Sequence, residues 1–291
     1  SVVQFFFDTL SQVDKETQQI GALGAKTIVC TFDGVGNRLT CTYPAGRVIT
    51  RLYDAVNRVT QTKQGADILA SFDYAGERVA RRTYLNGIKK ECTYDAVRRV
   101  TQIRHVDGSA NEKAKFAYAY DKVHNRKYEH RVHHGQADVF RYDGIYEVDG
   151  VKFGVPSADV SPTKAWGDYL TWQNKHEWTF DGVGNRKTMD RDGVIEQYNF
   201  SGGVYTPDPM NEYYNVGGVV NVHDANGNLT DDGTFTFAYS YKNELLKVTR
   251  KSDLVVVGEY KYDAGGRRME RVAGTTTQRF YWMGWQLHES R

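Results

Sequence analysis

The sequence predicts an all-β chain of repeated antiparallel hairpins, laid side by side in a continuous curved or spiralling sheet. Three observations carry this. A short motif recurs along all 291 residues: an aromatic, an acid, two small or variable residues, Gly or Asn, then a base. Its aromatic positions often lie roughly twenty residues apart, as from 32 to 53, 53 to 72, 72 to 94, 120 to 142 and 241 to 262, and a fixed period of that size marks a repeat architecture. The composition holds 28 Gly, 20 Tyr and only 5 Pro, with no long Ala/Leu/Glu/Lys stretch, which favours strands and tight turns over helices.

The copies read Phe32-Asp33-Gly34-Val35-Gly36-Asn37-Arg38, Tyr53-Asp54-Ala55-Val56-Asn57-Arg58, Phe72-Asp73-Tyr74-Ala75-Gly76-Glu77-Arg78 and Tyr94-Asp95-Ala96-Val97-Arg98-Arg99. Further on come Tyr120-Asp121 to Arg126, Tyr142-Asp143-Gly144, Phe180-Asp181 to Arg186 and Tyr262-Asp263-Ala264-Gly265-Gly266-Arg267. Weaker copies start at His223-Asp224 and Tyr241-Lys242. Gly and Asn take a positive φ cheaply, and an Asp before a turn accepts a hydrogen bond from the backbone two residues on. Each copy therefore reads as a hairpin turn of three to five residues.

The first copy permits a register test. With Asp33 opposite Arg38, Phe32 faces Leu39, Thr31 faces Thr40, Cys30 faces Cys41, Val29 faces Thr42 and Ile28 faces Tyr43. Alternation then puts Ile28, Cys30, Phe32, Leu39, Cys41 and Tyr43 on one apolar face. Each Asp and Arg becomes a turn cap and a cross-strand ion pair, a structural rather than a catalytic role. Cys30 and Cys41 are placed either for a cross-strand disulfide or as two buried thiols; Cys92 has no sequence-local partner.

Taken in order, residues 1–27 give a leading strand, Val2-Val3-Gln4-Phe5-Phe6-Phe7, which reads as cut from a longer chain, and then a short helix or polar loop over 11–20. Residues 28–150 are the densest array. Second turns fall half a period on, at Tyr43-Pro44-Ala45-Gly46, Lys63-Gln64-Gly65, Asn86-Gly87 and Asp107-Gly108, so an up-and-down meander is expected, its turns alternating between two edges. Residues 151–219 break the rhythm with insertions that hold Trp166, Trp172 and Trp178 and the segment Tyr205-Thr206-Pro207-Asp208-Pro209. They are expected to cover a sheet edge or fill the interior. The array resumes over 220–291, all in one continuous domain.

Thirty-eight basic and 36 acidic residues leave a formal charge of +2, so no basic surplus exists to bind nucleic acid. No run of 18 apolar residues occurs, so no membrane-spanning helix is expected. His130, His133 and His134 match no zinc spacing. Asp224-x-Asn226-x-Asn228 opens like a calcium loop but has Leu229 and Phe235 at the sixth and twelfth positions, where that loop needs Gly and Glu. Gly34-Val35-Gly36 and Gly182-Val183-Gly184 sit in turns and open no helix. The chain is thus read as non-enzymatic, with no cofactor and no metal.

Tyr-Asp-x-x-x-Arg at these intervals, over roughly residues 28–286, resembles the YD-repeat (Rhs-repeat) proteins. Arg279-Phe280-Tyr281-Trp282-Met283-Gly284-Trp285-Gln286-Leu287 resembles the last repeat before the core segment of bacterial Rhs proteins. The resemblance implies a β-shell wound from a spiralling sheet, around a C-terminal toxic domain in toxin systems or as an extracellular barrel in teneurin-like proteins. The family's autoprotease carries Asp-Pro-x-Gly; here Asp208-Pro209-Met210-Asn211 lies mid-array, and that activity is not carried over. The expected function is a structural shell segment of a secreted or bacterial surface protein. The alternative is an extracellular adhesion, carbohydrate-binding or filament-forming protein. Expected partners are the rest of a longer chain or further copies through the sheet edges, with an enclosed toxin or glycans beyond these.

Overall fold

The computed structural model describes residues 2–291. It is nearly all β, with 57% of residues in strands and 3% in helix. The strands form an antiparallel sheet of seventeen strands, another of eight and short two-stranded ribbons. The chain divides into two compact units, Ser1–Leu69 with Val219–Arg291, and Ala70–Gly218.

The first unit begins with strand Val2–Phe7 on Val13–Gln19, followed by Lys26–Phe32, Arg38–Thr42, Val48–Tyr53 and Val59–Gln64. Its later part is a meander from Val222–His223 through Val256–Tyr262, Arg268–Ala273 and Thr276–Met283 to Gln286–Ser290. The expectation of a helix or loop over 11–20 is overturned, because Val13–Gln19 is a strand with partners on both sides. Its inward residues are Glu16 and Gln18, so the strand lacks the apolar alternation that announces one. Ile20, Ile28, Cys30, Cys41, Met269, Tyr281 and Met283 form this unit's core.

In the second unit consecutive strands pair from Arg78–Tyr84 to Val194–Gln197. Tyr128, Val139, Val155 and Tyr169 make its core, with Trp166 and Trp172 packed against it. Tyr169 comes from the 151–219 insertion, so this part of the insertion covers one face of the sheet.

The register test holds at Val29↔Thr42, Cys30↔Cys41 and Thr31↔Thr40 and then slips, pairing Phe32 with Arg38 instead of Leu39. A bulge causes the slip. Gly36 N donates to Asp33 O, and Asp33 N to Asn37 O, while Gly36 has φ +89°. This is a type I turn followed by a left-handed residue, the usual three-residue hairpin loop. Asn57, Arg98, His124, Tyr146, Gly184, Gly227, Asn243 and Gly266 hold the same position with positive φ. The Gly or Asn of the motif is there for that backbone conformation.

The Phe72-Asp73 copy departs from the pattern. Phe72 pairs with Arg82 and Asp73 with Arg81 inside the strands, and the chain turns later, at Gly76. Asp73 is therefore a strand residue. It starts a row of alternating charge across five strands: Asp73–Arg81 3.7 Å, Arg81–Glu91 3.2 Å, Arg104–Glu91 3.8 Å and Arg104–Glu112 3.2 Å.

Candidate functional site

Outside the Phe72-Asp73 copy, each motif Asp works as a clamp on its own turn. Oδ1 of Asp54 accepts Val56 N at 3.0 Å and Arg58 N at 2.9 Å, and Oδ2 accepts Arg58 Nε at 2.7 Å. Asp95 does the same with Val97 and Arg99, and Asp263 with Gly265 and Arg267. At Asp33, Asp121, Asp181 and Asp224 the partner four residues on is Asn37, Asn125, Asn185 or Asn228. In the Asp33, Asp121 and Asp181 copies the Arg after that Asn is not opposite the Asp, and in the Asp224 copy the residue there is Leu229. Arg38 meets Gln286 and His288, and Arg186 reaches Tyr198, so the expected Asp33–Arg38 and Asp181–Arg186 pairs are corrected. The turns are alike, but Asn37 holds the place four residues after the acid that Arg58 holds in its copy, and Arg38 falls one place later, opposite Phe32.

The Tyr of the motif reaches sideways. The hydroxyls of Tyr53, Tyr94, Tyr120 and Tyr142 donate to the carbonyls of Arg38, Val79, Val100 and Arg126 at 2.8–3.0 Å. Each carbonyl lies just past an earlier turn. Turns are also tied to one another: Asn37 to Asn57 at 2.8 Å, Asn228 to Asn243 at 2.9 Å, and Arg99 to the Asp121 carbonyl at 3.0 Å. The sites predicted one by one thus form connected edges. Val106-Asp107 to Asn111 is a further copy hidden by its Val; Asp107 caps Ser109 and Asn111, and Ala110 has φ +65°. The findable signal was Asp with Asn four residues later.

Two clusters escape sequence reasoning. In the first unit, Glu16 is fully buried and accepts Arg267 Nη2 at 2.7 Å, Gln18 Nε2 at 2.5 Å and Gly284 N at 2.8 Å. Gln18 also bonds both backbone groups of Trp282. This network joins Val13–Gln19 to the last hairpin. Three hydrogen bonds from three separate segments hold the Glu16 carboxylate, so the group serves as a lock. Beside it opens a cleft of about 320 Å³ lined by Val3, Phe5, Asp263, Arg267 and Trp285.

In the second unit, Lys152 is buried. Its Nζ donates to the carbonyls of Trp166 at 3.0 Å and Tyr169 at 2.7 Å and lies 4.0 and 4.3 Å from the ring centres of Trp166 and Trp172. Burial, then neighbouring Lys175, pulls its pKa down from the ordinary lysine value. The cation holds the 157–173 excursion against the sheet.

Cys30 and Cys41 are buried free thiols with Sγ atoms 3.1 Å apart. Their shared hydrogen bond brings Cys30 down to about 7 and pushes Cys41 up. His288 Nδ1 lies 3.6 Å from Cys41 Sγ, and burial, then Arg38 and Arg51, lowers that imidazole to about 4. His133 packs edge-on to Phe116 beside the turn at Gly135. Among the described residues no cluster of His, Cys, Asp and Glu is arranged to hold a metal ion, and no helix is long and apolar enough to cross a membrane.

This geometry defines a fold class, an all-β sheet of repeated antiparallel hairpins. No family model matches the chain. Among curated proteins it is similar to the tRNA3(Ser)-specific nuclease WapA of Bacillus spizizenii and the tRNA nuclease WapA of Bacillus subtilis strain 168, each 37% identical over 108 residues, or 36% of this chain. The chain spans about 4% of the length of these relatives. Among solved structures it superposes on TcdB2-TccC3-Cdc42 with TM-score 0.72 at 16% identity, over 96% of this chain and 16% of that one. The Photorhabdus luminescens Tc holotoxin pore gives TM-score 0.69 at 17% identity over 94% and 16%. The fold is shared at these identities, and the chain matches about a sixth of those structures.

Proposed function

We propose that this chain is a structural segment of a β-shell in a secreted or surface-exposed toxin-related protein, enclosing a toxin or other C-terminal cargo. The observation that carries the reading is the superposition of nearly the whole chain on part of the TcdB2-TccC3 structures. The turn Asp residues support it: outside the Phe72-Asp73 copy their carboxylates cap the backbone of their own turns, as expected of a scaffold. The rest of the longer chain is its expected partner, through the sheet edges. The test is limited proteolysis of the full-length natural gene product. The domain after the repeats should resist cleavage until the repeat region unfolds. Cleavage at the rate of the isolated domain would reject the enclosure.

A second reading, carbohydrate binding at the surface, is favoured by Trp285, which is 76% exposed at the mouth of the cleft; exposed aromatic faces stack on sugars. A glycan array with no Trp285-dependent signal would remove it.

A further inference from the structure

We propose that Cys30 and Cys41 form an oxidisable dithiol, a modification site that closes to a disulfide in an oxidising environment. The inference does not depend on the shell reading.

The geometry is nearly that of the bonded state. The residues are direct partners on strands Lys26–Phe32 and Arg38–Thr42. Direct partners in an antiparallel pair have Cα atoms about 4.5–5.5 Å apart, inside the range of about 4.4–6.8 Å that disulfides span. The sulfurs stand 3.1 Å apart, so about 1 Å of approach reaches the bond length of ~2.05 Å. Both side chains are buried in the core cluster with Ile28, Met269 and Met283. Cys92 provides an internal contrast: it is half-buried and faces Ile103 across its strand pair, so no second thiol stands opposite it.

The chemistry balances with a peroxide as oxidant. The Cys30 thiolate attacks one peroxide oxygen, breaking the O–O bond and giving a sulfenic acid and hydroxide. The Cys41 sulfur then displaces the sulfenic hydroxyl. The S–S bond forms, and the two thiol protons end in two water molecules. Two cysteines lose two electrons, and the peroxide gains them. The proton shared by the two sulfurs favours the first step, because one thiol can ionise while the other donates to it.

The experiment uses the whole chain. Purified reduced protein is exposed to hydrogen peroxide, unfolded, alkylated and weighed intact, then mapped by non-reducing peptide analysis. The expected product is two hydrogens lighter, takes up one alkyl group in place of three, and contains a Cys30–Cys41 peptide. Cys92→Ser should leave this unchanged, and Cys41→Ser should abolish the linked peptide. Three alkylated cysteines after oxidation, or a link involving Cys92, would overturn the proposal. Because the decisive measurement is on the unmodified chain, misfolding of a variant cannot rescue it.

Discussion

Arg267 Nη2 lies 2.7 Å from Glu16 Oε1, with both side chains buried and 251 positions between them. The same guanidinium holds Asp263 through Nε, also at 2.7 Å. One motif Arg thus closes its own turn and locks the first unit's opening strands to its last hairpins. Breaking a buried pair by removing one partner costs about 3–5 kcal/mol. Arg267→Met should lose about that much in urea unfolding. Adding Glu16→Gln should restore part of the loss, because it removes one stranded charge. A loss below ~1 kcal/mol would show that the lock is not a stabilising contact.

The turn carboxylates set an acid limit. The Asn37 side chain, the Arg58 backbone N–H and the Asn228 side chain hold Asp33, Asp54 and Asp224 below the ordinary value. At Asp181 burial pushes up, but Tyr205 and the backbone of Asn185 and Val183 outweigh it and bring the group down to about 2. A lowered folded pKa contributes stability above the unfolded value, about 3.9 for Asp, and that stability is lost as pH falls through the folded value. Tm should be level in this respect above about pH 5 and fall from about pH 4 to about pH 2. Asp181→Asn should flatten the lower part of that fall; a curve identical to the parent's would reject the assignment.

Tyr146 occupies the left-handed turn position at φ 71° and is well exposed. That conformation costs a non-glycine residue about 1 kcal/mol. Tyr146→Gly should therefore raise stability by about 0.5–1 kcal/mol, and Gly266→Ala should lower it by at least as much. Equal and opposite results in chemical denaturation would refute the turn geometry.

Lys152 predicts a local effect. Lys152→Met keeps the stem but removes two charged hydrogen bonds, each worth about 1.5–3 kcal/mol, and the contact with two Trp rings. Hydrogen exchange over 157–173 should accelerate well before that of the strands beneath. Uniform acceleration through the unit would show that the residue supports the sheet as a whole.

Strand Val2–Phe7 exposes Val2, Phe5, Phe6 and Phe7, and exposed apolar strands at a sheet margin promote pairing between chains. Sedimentation should show association that grows with concentration and weakens in Phe7→Lys. A clean monomer at high concentration would count against edge pairing.

The repeat was legible because each turn is a local object. Asp54, Asn57 and Arg58 lie within five residues, and capping, positive φ and ion pair all arise from that short segment. The period of twenty followed, and with it an all-β meander. The three-residue loop that sets Asn37 rather than Arg38 beside Asp33 was not legible, because the loop length depends on which ladder hydrogen bonds close. The strand Val13–Gln19 was missed for a stronger reason: its inward Glu16 and Gln18 read as surface residues until Arg267 and Trp282 stand opposite them.

What the sequence by itself determined is therefore the unit: turn, strand, and the alternation that gives each strand an inner face. Tertiary structure alone decided which units meet, since a buried Glu16 becomes tolerable only when a guanidinium 251 positions away supplies its counter-charge. The burial of Lys152 beneath Trp166 and Trp172 follows the same rule. Local hydrogen bonds are fixed by neighbours along the chain, whereas desolvated charges are fixed by partners that only folding delivers.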